Sequence, residues 1–168
     1  MKNTFLKHLG LFVIVAFVGI IINSCGNDTV VTPTTVPAGT IRGTITFVDT
    51  NRVYDDSSYY DVSVYASWPP TSGPSGSDVV TLTKSGDVYT GTYEITGLSP
   101  GAYVTTSAFV KIPYGPGSVY LLGVRGCDTN SSPVCWGNPS RDTLKSDVGL
   151  ENINFLSWID TTKKIAQF

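Results

Sequence analysis

Residues 41–47 read Ile-Arg-Gly-Thr-Ile-Thr-Phe, and their pattern decides the fold class. Apolar residues and Gly43 occupy the odd positions, whereas Arg42, Thr44 and Thr46 occupy the even ones. Successive side chains of a β-strand point to opposite faces of its sheet. The alternation therefore predicts a strand with one buried face and one polar face.

Similar short runs follow along the chain, at 62–68, 79–84, 88–95, 102–112, 118–125 and 152–159. Ser85-Gly86-Asp87 separates two of these runs and predicts a hairpin, because Gly86 can adopt a positive φ. Regular short strands with turns between them indicate an all-β sandwich or small barrel. The seven predicted strands favour a seven-stranded antiparallel sandwich.

Composition agrees with this fold class and excludes two classes of protein. The chain has 168 residues, 17 Gly, 10 Pro and 41% hydrophobic residues, which is too apolar for a disordered protein. Its 11 Lys and Arg against 13 Asp and Glu lack the basic excess of a nucleic-acid binder. The length suggests one domain, at most with a tail.

The N-terminal segment has the pattern of a secretory signal. Lys2 and Lys7 precede a nearly continuous apolar run at 9–22. As a helix this run is about 21 Å long, too short for a hydrocarbon core of about 30 Å. A short apolar run behind lysines indicates a cleaved signal helix rather than a membrane anchor.

Ile22-Asn23-Ser24-Cys25 resembles the lipobox of bacterial lipoproteins. The resemblance implies that residues 1–24 are removed and that Cys25 is lipidated, which would anchor the protein to the membrane. Asp28 does not directly follow the cysteine, which favours the outer membrane of the bacterial cell envelope. The alternative is an ordinary cleaved signal with a chance cysteine.

A tether is predicted between this cysteine and the strands. Residues 25–39 are rich in Thr, Val and Pro, and Pro33 and Pro37 disfavour a regular helix. Such segments tend toward extended, semi-rigid conformations. The alternative is an edge strand around Val30 and Val31. The β-domain is predicted to span 40–168.

Three stretches resemble carboxypeptidase regulatory-like domains, which have a prealbumin (transthyretin-like) sandwich with Greek-key topology. They are Gly39-Thr40-Ile41-Arg42-Gly43-Thr44-Ile45, Asp61-Val62-Ser63-Val64-Tyr65-Ala66 and Tyr93-Glu94-Ile95-Thr96-Gly97-Leu98-Ser99-Pro100-Gly101-Ala102-Tyr103. In the third stretch, we expect Leu98 to plug the end of the sandwich while Pro100 and Gly101 turn the chain. Tyr103 is expected to return to the core. The resemblance implies a fold and leaves the function open.

The two remaining cysteines, Cys127 and Cys135, are predicted to form a disulfide because the protein is expected to be exported. The bond would close a nine-residue loop and contribute about 2.5 kcal/mol by chain entropy. A metal or redox pair is the alternative. We expect no metal and no cofactor.

Catalysis is not expected. The only histidine, His8, lies in the predicted signal, so neither a Ser-His-Asp triad nor a Cys-His pair can form after cleavage. Acidic residues crowd the first loop, at Asp49, Asp55, Asp56 and Asp61. We expect them to be solvated, with Ca²⁺ binding or carboxylate catalysis as alternatives.

Aromatic residues in or beside loops are the candidate ligand-binding residues, namely Tyr59, Tyr60, Trp68 and Trp136. Such rings can stack on sugars beside polar groups, although they can equally cap the ends of a sandwich. The hypothesis is a non-catalytic binding or accessory module of the envelope, with a glycan as the candidate ligand. The alternative is a structural subunit that docks on an envelope protein complex by strand addition.

Overall fold

The computed structural model describes residues 35–48, 58–86, 88–127, 139–159, 162 and 164–168. Within them the chain forms ten β-strands and no α-helix. The strands are β1 (Ile41–Val48), β2 (Ser58–Tyr65), β3 (Gly76–Val80), β4 (Thr83–Ser85), β5 (Val88–Ile95), β6 (Gly101–Lys111), β7 (Val119–Val124), β8 (Asp142–Leu144), β9 (Phe155–Trp158) and β10 (Ala166–Gln167). The predicted signal at 1–24 and the predicted lipidation site Cys25 lie outside the described residues.

The strands form two sheets, as in a β-sandwich. One sheet has the order β4-β5-β1-β9, and the other has the order β10-β7-β6-β2-β3, with β8 paired to β6. Strand β9 runs parallel to β1, with Phe155 opposite Ile45, whereas the other paired strands are antiparallel. The described residues therefore differ from the expected seven antiparallel strands in strand number and in this one pair.

The hydrophobic core draws side chains from both sheets. Ile45 and Phe47 of β1 are buried, and Val62 and Val64 of β2 belong to the same cluster. The Phe47 ring meets the Tyr60 ring edge-on, with 5.1 Å between centroids. The alternation at 41–47 thus predicted the buried face of β1 correctly.

Two glycines of the four-stranded sheet lie where a neighbouring segment approaches closely. Gly43 lies opposite Tyr93, and Gly91 lies opposite Ile45. A Cβ on Gly91 would lie 2.0 Å from Cγ1 of Val80. A Cβ on Gly43 would lie 2.3 Å from the carbonyl oxygen of Ile153. Neither position has room for a side chain.

The run at 79–84, predicted as one strand, is split between the two sheets. Its first part belongs to β3, which pairs with β2, and its second part belongs to β4, which pairs with β5. Leu82, between the two strands, packs against the core. The predicted hairpin is present between β4 and β5, where Gly86 has a φ of 59°.

The corner between β5 and β6 agrees with the sequence. Leu98 and Tyr103 are both buried, and the Tyr103 hydroxyl donates to the carbonyl oxygen of Ser99 at 2.7 Å. The Leu98 amide donates to the carbonyl of Gly39 at 2.9 Å. Val36 is also buried, so the end of the predicted tether is part of the folded unit.

Candidate functional site

Strand β2 carries different chemistry on its two faces. Tyr60, Val62 and Val64 point into the core, as their burial shows. The intervening positions, Tyr59, Asp61, Ser63 and Tyr65, therefore lie on the outer face of the six-stranded sheet. Two phenol rings, a carboxyl and a hydroxyl are thus aligned along one strand.

These four residues form the floor of a pocket of about 410 Å³, which we call the outer pocket. Strand β6 extends the floor, since Ala108 lies beside Asp61 and Val110 lies beside Tyr59. The walls are the segment 70–74 together with Tyr114, Val119 and Phe168. The volume lies in the range of small-ligand sites, about 300–1,000 Å³.

Asp61 is the charged centre of the outer pocket. The Ser63 hydroxyl donates to its Oδ2 at 3.3 Å, and the backbone of Ala108 also hydrogen-bonds the carboxyl group. Oδ1 is buried and has no hydrogen-bond partner among the described residues. Burial raises the pKa of Asp61 to about 6, because desolvation outweighs these hydrogen bonds. The carboxyl group is therefore mainly ionised at neutral pH and mainly protonated at pH 5.

The flanking tyrosines remain neutral at physiological pH. Burial is the main cause that raises the pKa of Tyr59 and of Tyr65, and the charge of Asp61 raises both further. Their phenols can therefore act as hydrogen-bond donors and acceptors. Tyr114 is 74% exposed and stands at the rim of the pocket. The pocket thus combines aromatic surfaces with the partly buried carboxyl group of Asp61.

The four predicted binding residues lie in different parts of the protein. Tyr59 lines the outer pocket. Tyr60 is a core residue whose hydroxyl donates to the carbonyl of Ile159 at 2.9 Å, so it is not available to a ligand. Trp68 is partly buried and meets the Tyr65 ring edge-on at 6.2 Å. Trp136 lies outside the described residues.

Trp68 and Cys127 pack on a second hydrophobic cluster, formed by Val104, Leu121 and Val124. This cluster contains residues of β6, which forms part of the pocket floor, and of β7, the next strand of the sheet. The role of Trp68 in the structure is thus to support the sheet and the Tyr65 ring. Cys135 lies outside the described residues, and the disulfide remains a prediction.

Asp61 and Tyr65 were missed as site residues. The expectation that Asp61 is a solvated loop residue was wrong, because β2 begins at Ser58 and carries Asp61 into the sheet. Tyr59, Asp61 and Ser63 alternate with the apolar positions, and this extended alternation was the signal that could have found them. The other three acidic residues of the predicted loop, Asp49, Asp55 and Asp56, lie outside the described residues.

A second groove, of about 350 Å³, lies on the four-stranded sheet. Its cationic group is already paired. Arg42 lies 2.8 Å from Glu151 and 3.7 Å from Glu94. The Asn154 side chain accepts a hydrogen bond from the Thr44 amide at 2.8 Å. The charge of Arg42 is therefore balanced by neighbouring carboxylates.

Comparisons with known proteins return no relative: no family model, no curated protein and no solved structure matches this chain. No group of three or more His, Cys, Asp and Glu side chains in the described part of the chain could hold a metal ion. The described residues also contain no helix that is long and apolar enough to span a membrane.

Proposed function

We propose that this chain is a lipid-anchored, non-catalytic binding module of the bacterial cell envelope, held at the outer membrane through Cys25. The motif Ile22-Asn23-Ser24-Cys25 behind a short apolar run supports the anchor. The all-β architecture with two sheets is compatible with the prealbumin-like Greek-key sandwich that the resemblance to carboxypeptidase regulatory-like domains implies. We propose that the β-domain is a sandwich of this prealbumin-like type.

The outer pocket is the observation that carries the binding function. It places Tyr59 and Tyr65 on either side of a carboxyl group and a serine hydroxyl. Flat aromatic faces can pack against the C–H faces of sugar rings, while the polar atoms hydrogen-bond sugar hydroxyls. A glycan is therefore the ligand class that we propose.

The test is binding of the purified full chain, in mild detergent, to a glycan array. The expected result is a specific hit that is weakened about tenfold by Tyr114→Ala, corresponding to about 1.4 kcal/mol. Because Tyr114 is mostly exposed, its truncation should leave the fold intact. Leu156→Ala, an exposed change on the other sheet, is the matched control and should bind normally. A folded protein without any hit would contradict the proposal.

The alternative function is docking on an envelope protein complex by strand addition. Strand β3 ends the six-stranded sheet and pairs only with β2 in the described structure. Its Val79 is 59% exposed. An edge strand with an exposed apolar side chain can accept a partner strand. This alternative predicts cross-linking to one envelope protein in intact cells, which Val79→Lys would reduce and Tyr114→Ala would not.

A further inference from the structure

The outer pocket holds a negative charge that no cationic side chain balances among the described residues that line it. No Lys or Arg is among the described residues that line it. Asp142, another partly buried carboxylate, provides a contrast, because the Arg125 guanidinium lies 2.6 Å from it. Buried charges in proteins are normally paired, since an unpaired charge loses hydration without compensation. Among the described residues, Asp61 has the Ser63 hydroxyl and a backbone group in place of a cation.

The carboxyl group narrows the ligand chemistry further. Asp61 is only partly buried and lines the pocket. A ligand donor that is also a cation would give its carboxyl group both a hydrogen bond and a counter-charge. A primary ammonium group has three N–H donors, whereas a quaternary ammonium group has none. The carboxyl group thus favours a primary amine.

The aromatic residues indicate what carries the amine. Tyr59, Tyr65 and Tyr114 face the space above Asp61, and tyrosine rings attract cations at their faces. The volume of about 410 Å³ leaves room for a ring beside the ammonium group. The neutral phenols add groups that hydrogen-bond hydroxyls, which a sugar has and an alkylamine lacks.

We infer that the outer pocket binds a glycan with free amino groups, placing a primary ammonium group against Asp61 between Tyr59 and Tyr65. This inference rests on the proposed glycan-binding function and narrows its ligand class. The contact is an ion pair with a charge-assisted hydrogen bond, and the sugar ring lies against the tyrosine faces.

The test uses three tetrasaccharides that share the β1,4-linked glucose backbone and differ only at C2. They are the glucosamine tetramer, its fully N-acetylated form and cellotetraose, each titrated into the full chain in mild detergent by calorimetry at pH 7. We expect the glucosamine tetramer to bind at least about tenfold more tightly than the other two, as a charge-assisted hydrogen bond predicts. Asp61→Asn should remove this preference and leave the neutral tetramers within about twofold. Asp147→Asn, the same change at an exposed carboxylate, should retain the preference.

Changing the pH provides a second readout. From pH 7 to pH 5 the ratio of the parent's affinity for the glucosamine tetramer to that of Asp61→Asn should fall about tenfold, because Asp61 takes up a proton with a pKa of about 6. The amine gains charge over the same range, and this gain raises both affinities and cancels in the ratio. The other titratable groups that line the pocket are the phenols of Tyr59, Tyr65 and Tyr114 and the main-chain carboxyl group of Phe168. Asp61→Asn retains all of them, so the ratio of the two affinities reports on Asp61.

The other outcomes separate the two proposals. Equal binding of all three tetramers would overturn the amine inference and leave the glycan-binding function standing. Tighter binding of Nα-acetyl-lysine methylamide than of the glucosamine tetramer would overturn the inference, because the amine would then come from a protein. Lack of binding of every probe by a folded protein would overturn both proposals.

Discussion

Asp61→Asn should stabilise the folded protein at neutral pH. The substitution keeps the size of the side chain and an oxygen that can accept from the Ser63 hydroxyl. It removes the negative charge of a partly buried carboxyl group whose Oδ1 has no partner among the described residues. Removal of a buried, uncompensated charge by a neutral group of the same shape eliminates its desolvation cost.

The magnitude follows from the change in the pKa. The folded state raises the pKa of Asp61 from 3.8 to about 6, mainly through burial. A difference of about two units corresponds to about 3 kcal/mol of stability. Since the folded-state pKa is the higher one, this stability is fully present below pH 3.8 and is lost as the pH rises through 6. The asparagine variant should thus be more stable than the parent by up to about 3 kcal/mol above pH 7.

The assay is urea unfolding followed by tryptophan fluorescence between pH 3.5 and pH 7.5. The free-energy difference between parent and Asp61→Asn should be near zero at pH 3.5 and should grow through pH 6. Asp147→Asn changes an exposed carboxylate and should follow the pH profile of the parent. A difference that is independent of pH, or a variant less stable than the parent at pH 7.5, would refute the reasoning that Asp61 is buried without a compensating charge.

Two further predictions concern packing. Gly91→Ala should reduce the free energy of unfolding by about 1–3 kcal/mol, because the new Cβ would overlap the Val80 side chain. The control is Gly115→Ala, whose new Cβ meets no atom within 4 Å. Equal urea midpoints for the two variants would contradict this account. Tyr60→Phe should cost about 1 kcal/mol through loss of the hydrogen bond to Ile159 and should leave glycan binding unchanged. A loss of binding in the calorimetric titration would mean that Tyr60 affects the pocket.

Local patterns predicted much of the architecture. The run at 88–95 coincides with β5, and the corner around Leu98 and Tyr103 is buried as expected. These features depend on neighbouring residues alone: a two-residue period for the strand, and Pro, Gly and an apolar plug for the corner. The predicted end of the run at 62–68 was wrong, because β2 ends at Tyr65 and only the first four residues of the run belong to it.

The candidate site was harder to predict because it depends on burial. Tyr59 and Tyr60 are adjacent in the sequence and were predicted together, yet they point to opposite faces of β2. Asp61 is polar and was predicted to be solvated. It is partly buried because the segment 70–74 and strand β6 surround it, and β6 is distant in the sequence. Its raised pKa is therefore a property of the assembled sheet.

The fold class, most strand positions and the alternating positions can be predicted from the amino-acid sequence, because these properties arise from steric and hydrophobic preferences over a few residues. The division of residues 79–84 between two sheets and the parallel pairing of β9 with β1 depend on the tertiary structure. The face of β2 that becomes the floor of a pocket depends on it as well. Strand partners and burial are set by packing between distant segments, whose energies depend on the whole core and not on any local pattern.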